Sequence, residues 1–475
     1  MTTVSPHAQL HAEDATDRIS WWVLGFIGVA QFMVILDVTV VNIALPSISK
    51  ALSFSATDLQ WVVTVYVLFT GGLMLLGGRS ADLLGRRRVF LVGLLVFTAA
   101  SLASGLAWSS HALIVSRAAQ GFGAALLLPS ALAIITTTYS GAQRTAALAV
   151  WGAIGSAGVA FGVLLGGIIT TAFGWEWIFF INVPIGIVVA VGAVRLVPAE
   201  DAVALTGLKL DLLGAITLLA GLMTLVYAVV GTAQHGWASA RTWLLLAIAA
   251  ALLAAFVAVE RRGTKPLVPP PTWRVRSLVS SAVVMLGTTG ILVGSFYLNT
   301  LYLQNVLGYS ALKTGLSFLP LALVILAAAH LASHLLSHAG ARVVAVVGLV
   351  LTSAAALLLA IAPDRASYLT NLLPGFLLLG AGVGLVFVAV TVTAMADVRH
   401  DQAGLASGIM TTAHELGAAL GVAVLAAVAI SNGNPVSGYG DAFFVAAGIA
   451  GVLALVAAIV LPALRPAPGT HVSMH

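Results

Sequence analysis

The stretch "WWVLGFIGVAQFMVILDVTVVNIALP" (residues 21–46) runs through 26 residues with a single charge, Asp37, and its reading decides the fold. An α-helix rises 1.5 Å per residue, so about 20 apolar residues cross a hydrocarbon core of ~30 Å. The run is long enough to do so. It is also longer than the apolar core of a signal peptide, so it is expected to stay in the mature protein. Similar windows recur along almost the whole chain of 475 residues, of which 60% are hydrophobic and 8% charged. A soluble domain carries about 25% charged residues. A transmembrane barrel is excluded because the Leu, Ala, Val and Gly runs do not alternate as barrel strands do. There is no cysteine, which removes disulfide and thiol chemistry.

Breaks at charged residues, proline and glycine place fourteen spans near 21–46, 58–76, 89–108, 112–138, 146–172, 178–196, 211–231, 241–259, 278–303, 314–336, 342–362, 368–396, 403–430 and 442–462. An even number puts both termini on one side, and positive charge chooses which. With the termini cytoplasmic, sixteen of the 21 Lys and Arg face inward. Lys50, Arg241, Lys313 and Arg365 face outward, and Arg117 falls inside the fourth span. Residues 21–196 and 278–462 then hold six spans each. The pair within 197–277 reads as an insertion, and 1–20 and 463–475 as polar cytoplasmic tails. Repeated halves of this kind belong to alternating-access transporters. The basic stretch "ERRGTKPLVPPPTWRVR" (260–276) reads as a solvated loop touching lipid headgroups. Trp21, Trp22, Trp108, Trp175, Trp177, Trp237 and Trp243 lie near the expected interfaces, as belt residues do.

Four motifs carry a family resemblance: "LDVTVVNIALP" (36–46), "GRSADLLGRRR" (78–88), "RAAQGFGAA" (117–125) and "GVAFGVLLGG" (158–167). With these the chain resembles the major facilitator superfamily, in its fourteen-span drug:proton antiporter branch, over nearly its whole length. Ser80, Leu83 and Val163 depart from the usual pattern; Val163 stands where the fifth-span motif usually has proline. The resemblance implies an all-α polytopic membrane protein with the major facilitator fold, two six-helix halves plus two inserted helices. It also implies a loop formed by Gly78, Asp82, Gly85, Arg86 and Arg87, which reads as a latch for helix ends in one state or, for Arg87 and Arg88, equally as plain positive-inside anchoring. Asp82 is placed to accept hydrogen bonds at the start of the next helix. Gly158, Gly162 and Gly166 recur every four residues and, with Gly155 and Gly167, make a smooth ridge for a close neighbour. The ridge reads either as plain packing or as a surface that separates and re-forms.

Ionisable groups inside spans are costly and are functional candidates by default. Asp37, Arg117 and Glu415 are the clear ones. Asp37 lies roughly 13 Å and Arg117 about 9 Å below the outer ends of their spans, at similar depth and opposite in sign. They read as a pair, either a permanent ion pair or the proton-coupling centre that the resemblance favours. On a helical wheel Gln31, Thr39 and Asn42 share a face away from Asp37, and are expected to line the central cavity. Gln120, Tyr297, Asn299 and Tyr302 join them as adaptable ligand contacts. Glu415 falls roughly 20 Å into its span, near the midplane. Thr411, one turn earlier, is in position to bond it, and adjacent His414 points about 100° away as a poor partner. Glu415 reads either as a proton or substrate site or as a satisfied internal polar group. His330, His334 and His338 share a helix face at the end of the tenth span, but no metal site is expected.

The function expected is proton-coupled efflux of amphipathic drugs or antibiotic-like metabolites across the cytoplasmic membrane. The alternatives are a proton symporter importing a small metabolite, or a non-transporting receptor on the same fold. No cofactor is expected beyond the proton motive force: no lysine follows a glycine, so no phosphate-binding loop can be drawn. Neither an enzyme nor a nucleic-acid binder is expected. The expected partners are a small amphipathic substrate, protons and the bilayer, around a monomer.

Overall fold

The structure, a computed structural model, describes residues 6–198, 211–263, 266–363, 366–399 and 402–463, with side chains from Trp21 on. Within these, fourteen helices are long and apolar enough to cross a membrane. They are α1 (Trp21–Ala51), α2 (Ala56–Leu84), α3 (Arg86–Gly105), α4 (Ser110–Thr138), α5 (Gly141–Ala172), α6 (Trp177–Leu196) and α7 (Leu212–His235). They continue as α8 (Ala240–Arg262), α9 (Arg276–Val306), α10 (Ala311–Ala339), α11 (Ala341–Ala360), α12 (Tyr368–Met395), α13 (Ala403–Ser431) and α14 (Pro435–Val460). The chain is a multi-pass membrane protein, all-helical among the described residues. The tail from 464 on and the connection 199–210 lie outside them.

Several ends differ from the sequence reading. The first helix begins at Pro6 and runs on past Pro46 to Ala51, and no glycine or proline interrupts residues 7–24. Helices α2 and α3 are joined by Gly85 alone, at φ 95°, a left-handed conformation that side-chain-bearing residues rarely adopt.

Packing repeats between the two ends of the chain. In the first six helices α1 packs on α5 and α6, and α4 on α2 and α3; in the last six α9 packs on α13 and α14, and α12 on α10 and α11. The two groups meet through α5 on α10 and α2 on α13. Helix α7 packs on α2 and α13 and carries α8 on its outside. At the end far from the termini the meeting is close. A Cβ on Gly167 would lie 2.8 Å from the Ala311 carbonyl, one on Gly315 would strike the Val163 carbonyl, and Gln304 donates to the Ile43 carbonyl at 2.8 Å. At the terminus side residues 141–146, at the start of α5, are exposed, while Gly408 of α13 lies against Leu75 of α2.

The linker after α8 bears out the solvated-loop reading at Arg261, Arg262, Arg274 and Arg276, which are exposed, and departs from it in the middle, which is docked. Glu260 is 3% exposed, and its carboxylate accepts from the backbone N–H groups of Leu267 (3.2 Å) and Val268 (2.8 Å). Those two side chains bury among Leu73, Leu76, Ala125 and Ala215. The apolar pair inside a basic stretch gives the loop something to bury. Trp175 is likewise buried against Phe179 rather than at an interface.

Candidate functional site

Asp37 is 0% exposed and receives three hydrogen bonds. Arg117 Nη1 donates to its Oδ2 at 2.5 Å, while Gln120 Nε2 and Asn182 Nδ2 donate to Oδ1 at 2.8 and 3.0 Å. Arg117, itself 1% exposed, also donates to the Val62 carbonyl (3.1 Å) and to Gln120 Oε1 (2.8 Å), and lies 4.1 Å from the centre of the Tyr66 ring. Asn182 further donates to Ser101 Oγ (2.9 Å), whose hydroxyl donates to the Phe179 carbonyl (2.9 Å). The local sequence builds this arrangement. Arg117 and Gln120 stand three residues apart on one face of α4. Gly121 lies against the Tyr66 carbonyl, so α2 comes close enough for Val62 to reach the guanidinium.

A buried charge costs several kcal/mol unless it is paired and hydrogen-bonded. Here one positive and one negative charge sit out of water with their geometry satisfied from α1, α2, α4 and α6. Protonation of Asp37 would cancel the pair, while the Val62 carbonyl, Gln120 and the Tyr66 ring would still hold Arg117.

The structure brings Asp37 and Arg117 together, and it moves Gln120 from the cavity list into their network. Asn182 was missed. It stands in "IFFINVPIG" (178–186), a single uncharged amide in an apolar run outside the four family motifs. The expected cavity stripe is also corrected. Gln31, Thr39 and Asn42 are buried; Gly155 lies over Gln31 and Gly162 over Thr39, and the Thr39 hydroxyl and Asn42 amide bond their own helix at Ile35 and Val38. A wheel separates faces but does not tell a cavity from a tightly seated helix. Gly158 and Gly166 complete the ridge against Ile35 and Val40, and Gly167 turns the other way, onto α10.

Glu415 lies with its Cβ beside Gly71 of α2, and His414 has its ring 5.9 Å from that of Phe387 on α12. Their side chains keep 17% and 40% exposure at mid-span, which contrasts with the sealed Asp37. His414 Nδ1 is 3.6 Å from Glu415 Oε1, too long for a hydrogen bond but close enough for an ion pair when the imidazole is protonated. The two side chains are near each other but not hydrogen-bonded, in keeping with His414 as a poor direct partner. Thr411 bonds the Ser407 carbonyl instead of Glu415, as hydroxyls in helices commonly do.

Tyr297, Asn299 and Tyr302 are buried inside the last six helices rather than offered to a ligand. Tyr302 stacks on Tyr439 with ring centres 4.5 Å apart and donates to the Pro363 carbonyl, and Asn299 Oδ1 accepts from the Tyr439 hydroxyl. Asn299 and Tyr302 thus have partners within the bundle, while the Tyr297 hydroxyl is buried without one. In the α2–α3 loop Asp82 is exposed in the last turn of α2, and Gly85 starts α3 with no side-chain cap, which corrects the expected Asp82 cap. The one-residue joint leaves Asp82 inside a helix. Arg87 donates to the Val194 carbonyl at 2.6 Å, tying α3 to α6 within the same group; Gly78 makes an ordinary contact with Pro129, and Arg86 is half-buried. His330, His334 and His338 are exposed, and no cluster of metal-ligating side chains occurs among the described residues.

Residues 27–422 match the sequence model of the Major Facilitator Superfamily. The chain is 42% identical over 416 residues to the puromycin resistance protein pur8 of Streptomyces alboniger, covering 86% of this chain and 82% of that one. It is 40% identical over 457 residues to the cephamycin export protein CmcT of Amycolatopsis lactamdurans, covering 94% and 93%. Among solved structures it resembles the peptide transporter POT in complex with sulfate, with a TM-score of 0.65 at 15% identity over 92% of this chain and 93% of that one, a likeness of fold. This chain belongs to the Major Facilitator Superfamily, a family of membrane transporters rather than enzymes.

Proposed function

We propose that the protein exports amphipathic drugs or antibiotic-like metabolites across the cytoplasmic membrane in exchange for protons, by alternating access. The observation that carries this is the sealed Asp37 held by Arg117, Gln120 and Asn182. A carboxylate with no exposure and a cationic partner is a natural proton carrier when its surroundings change. The resistance and export roles in the names of its relatives support the direction. In this reading the termini are cytoplasmic, the end of the bundle where α5 starts exposed faces the cytoplasm, and the protein acts as a monomer without a cofactor. Substrate enters from that end and meets the partly exposed His414, Glu415 and Phe387. Release outward requires the close contacts at Gly167 and Gly315 to part. A proton motive force of about 150 mV is worth roughly 3.5 kcal/mol per charge, enough for a gradient on the order of 300-fold for a neutral substrate exchanged for one proton.

The test is accumulation of labelled compounds in inverted vesicles from a drug-sensitive host expressing the chain. Export predicts energy-dependent accumulation of an amphipathic compound inside the vesicles, abolished by a protonophore. Energy-dependent depletion would mark an importer, and saturable binding with no accumulation a receptor.

A further inference from the structure

Two buried oxygens beside the Asp37–Arg117 pair have no hydrogen-bond partner, Tyr66 Oη and Asn182 Oδ1, and only the second belongs to a residue hydrogen-bonded to Asp37. Gln120 Oε1 and the Val62 carbonyl take Arg117, and the Phe179 carbonyl takes Ser101. Asn182 Oδ1 is buried with no hydrogen-bond partner, although Nδ2 of the same amide bonds both Asp37 and Ser101. Unpaired buried acceptors are rare enough that each calls for a reason. A carboxylate needs donors, whereas a carboxylic acid needs an acceptor for its O–H. The residue already touching Asp37 Oδ1 carries both kinds of atom.

We propose that Asn182 is a positioning residue for the transported proton: its amide donates to the ionised Asp37, then turns so that Oδ1 accepts the Asp37 O–H once the proton is bound. This rests on Asp37 being the coupling carboxylate. The step balances simply. One O–H bond of a hydronium ion breaks and one O–H bond forms on Asp37, leaving water and a neutral carboxyl; within the protein only hydrogen bonds are exchanged. After rotation about Cβ–Cγ, Oδ1 faces Asp37 and the Ser101 hydroxyl, which swings from the Phe179 carbonyl to donate to it. Each orientation leaves one amide atom unpaired, so neither is locked. The charged and titratable groups facing Asp37 are Arg117 from α4 and Tyr66 from α2, and Tyr66 also lies within electrostatic reach of Glu415 on α13. From α3 and α6 the network receives only the neutral Ser101 and Asn182.

The experiment uses the full-length protein in liposomes and dicyclohexylcarbodiimide, which modifies a carboxyl group in its neutral form. Modification of Asp37 is followed by mass spectrometry at one fixed pH, and substrate-dependent proton exchange is measured across a pH series. Asn182→Leu removes a charge-assisted bond from the carboxylate and an ordinary one from the acid, and the former is about twice as strong. Modification is expected to be about tenfold faster than in wild type, and the exchange profile to move toward alkaline pH. Should Asn182→Leu fail to fold, Asn182→Ala is read by the same criteria. Unchanged modification rate and pH profile, in a preparation where Asp37→Asn abolishes exchange, overturn the role of Asn182 alone. Exchange at the wild-type rate in Asp37→Asn overturns the coupling reading and this proposal with it.

Discussion

Replacing Asp37 by leucine removes one charge from a sealed pair and strands the other. Arg117 would keep the Val62 carbonyl, Gln120 Oε1 and the Tyr66 ring, but no counter-charge. Breaking a buried pair costs about 3–5 kcal/mol, and the cation–π contact, present before and after, drops out of the difference. The freed amide of Gln120 adds about 1 kcal/mol to the cost, while Asn182 retains Ser101. Asp37→Leu should therefore destabilise the protein by about 4–6 kcal/mol. Adding Arg117→Met removes the stranded charge and should recover roughly 2–3 kcal/mol, leaving a deficit from the unpaired amides. The assay is unfolding by sodium dodecyl sulfate in mixed micelles, read through the fluorescence of the 10 tryptophans. Export should be absent from both variants. A double variant less stable than Asp37→Leu alone would refute the reasoning, because it would mean that Arg117 is anchored independently of Asp37.

Other sites give further expectations. Glu260→Ala removes both acceptors of the docked linker, so trypsin should cut after Arg261 or Arg262 at least tenfold faster than in wild type, while the transmembrane fragments stay intact. Gly315→Ala pushes a methyl into the Val163 carbonyl, which should loosen the end far from the termini. With Leu307→Cys as the only thiol in a chain that has none of its own, an impermeant maleimide should label this variant several-fold faster from that side. Glu415→Gln should weaken binding of cationic compounds about tenfold and leave neutral ones unchanged, measured by equilibrium binding in detergent.

Much of the architecture was legible because membrane helices are written in composition. Long apolar runs fix their own span, and Asp37 and Arg117 stood out because no lipid-facing role suits them. The glycines at 155, 158, 162 and 166 predicted a close neighbour, and α1 is that neighbour. What the sequence did not disclose was which neighbour each polar group meets. Gln31 and Thr39 look cavity-facing on a wheel, yet the glycine ridge of α5 covers them. Tyr302 and Asn299 look like ligand contacts until Tyr439, 140 residues beyond Asn299, supplies their partner. Asn182 and Gln120 gain meaning only when α6 and α4 close around Asp37. Glu260 was hidden by the arginines beside it, since its acceptors' partners lie in the loop's own backbone.

The central claim is that Asp37 carries the exchanged proton, and the most direct measurement is lumenal pH in energised inverted vesicles when a transported compound is added. Wild type should show substrate-dependent loss of lumenal protons, and Asp37→Asn should show none while still binding the compound. Proton loss at the wild-type rate in Asp37→Asn would contradict the account.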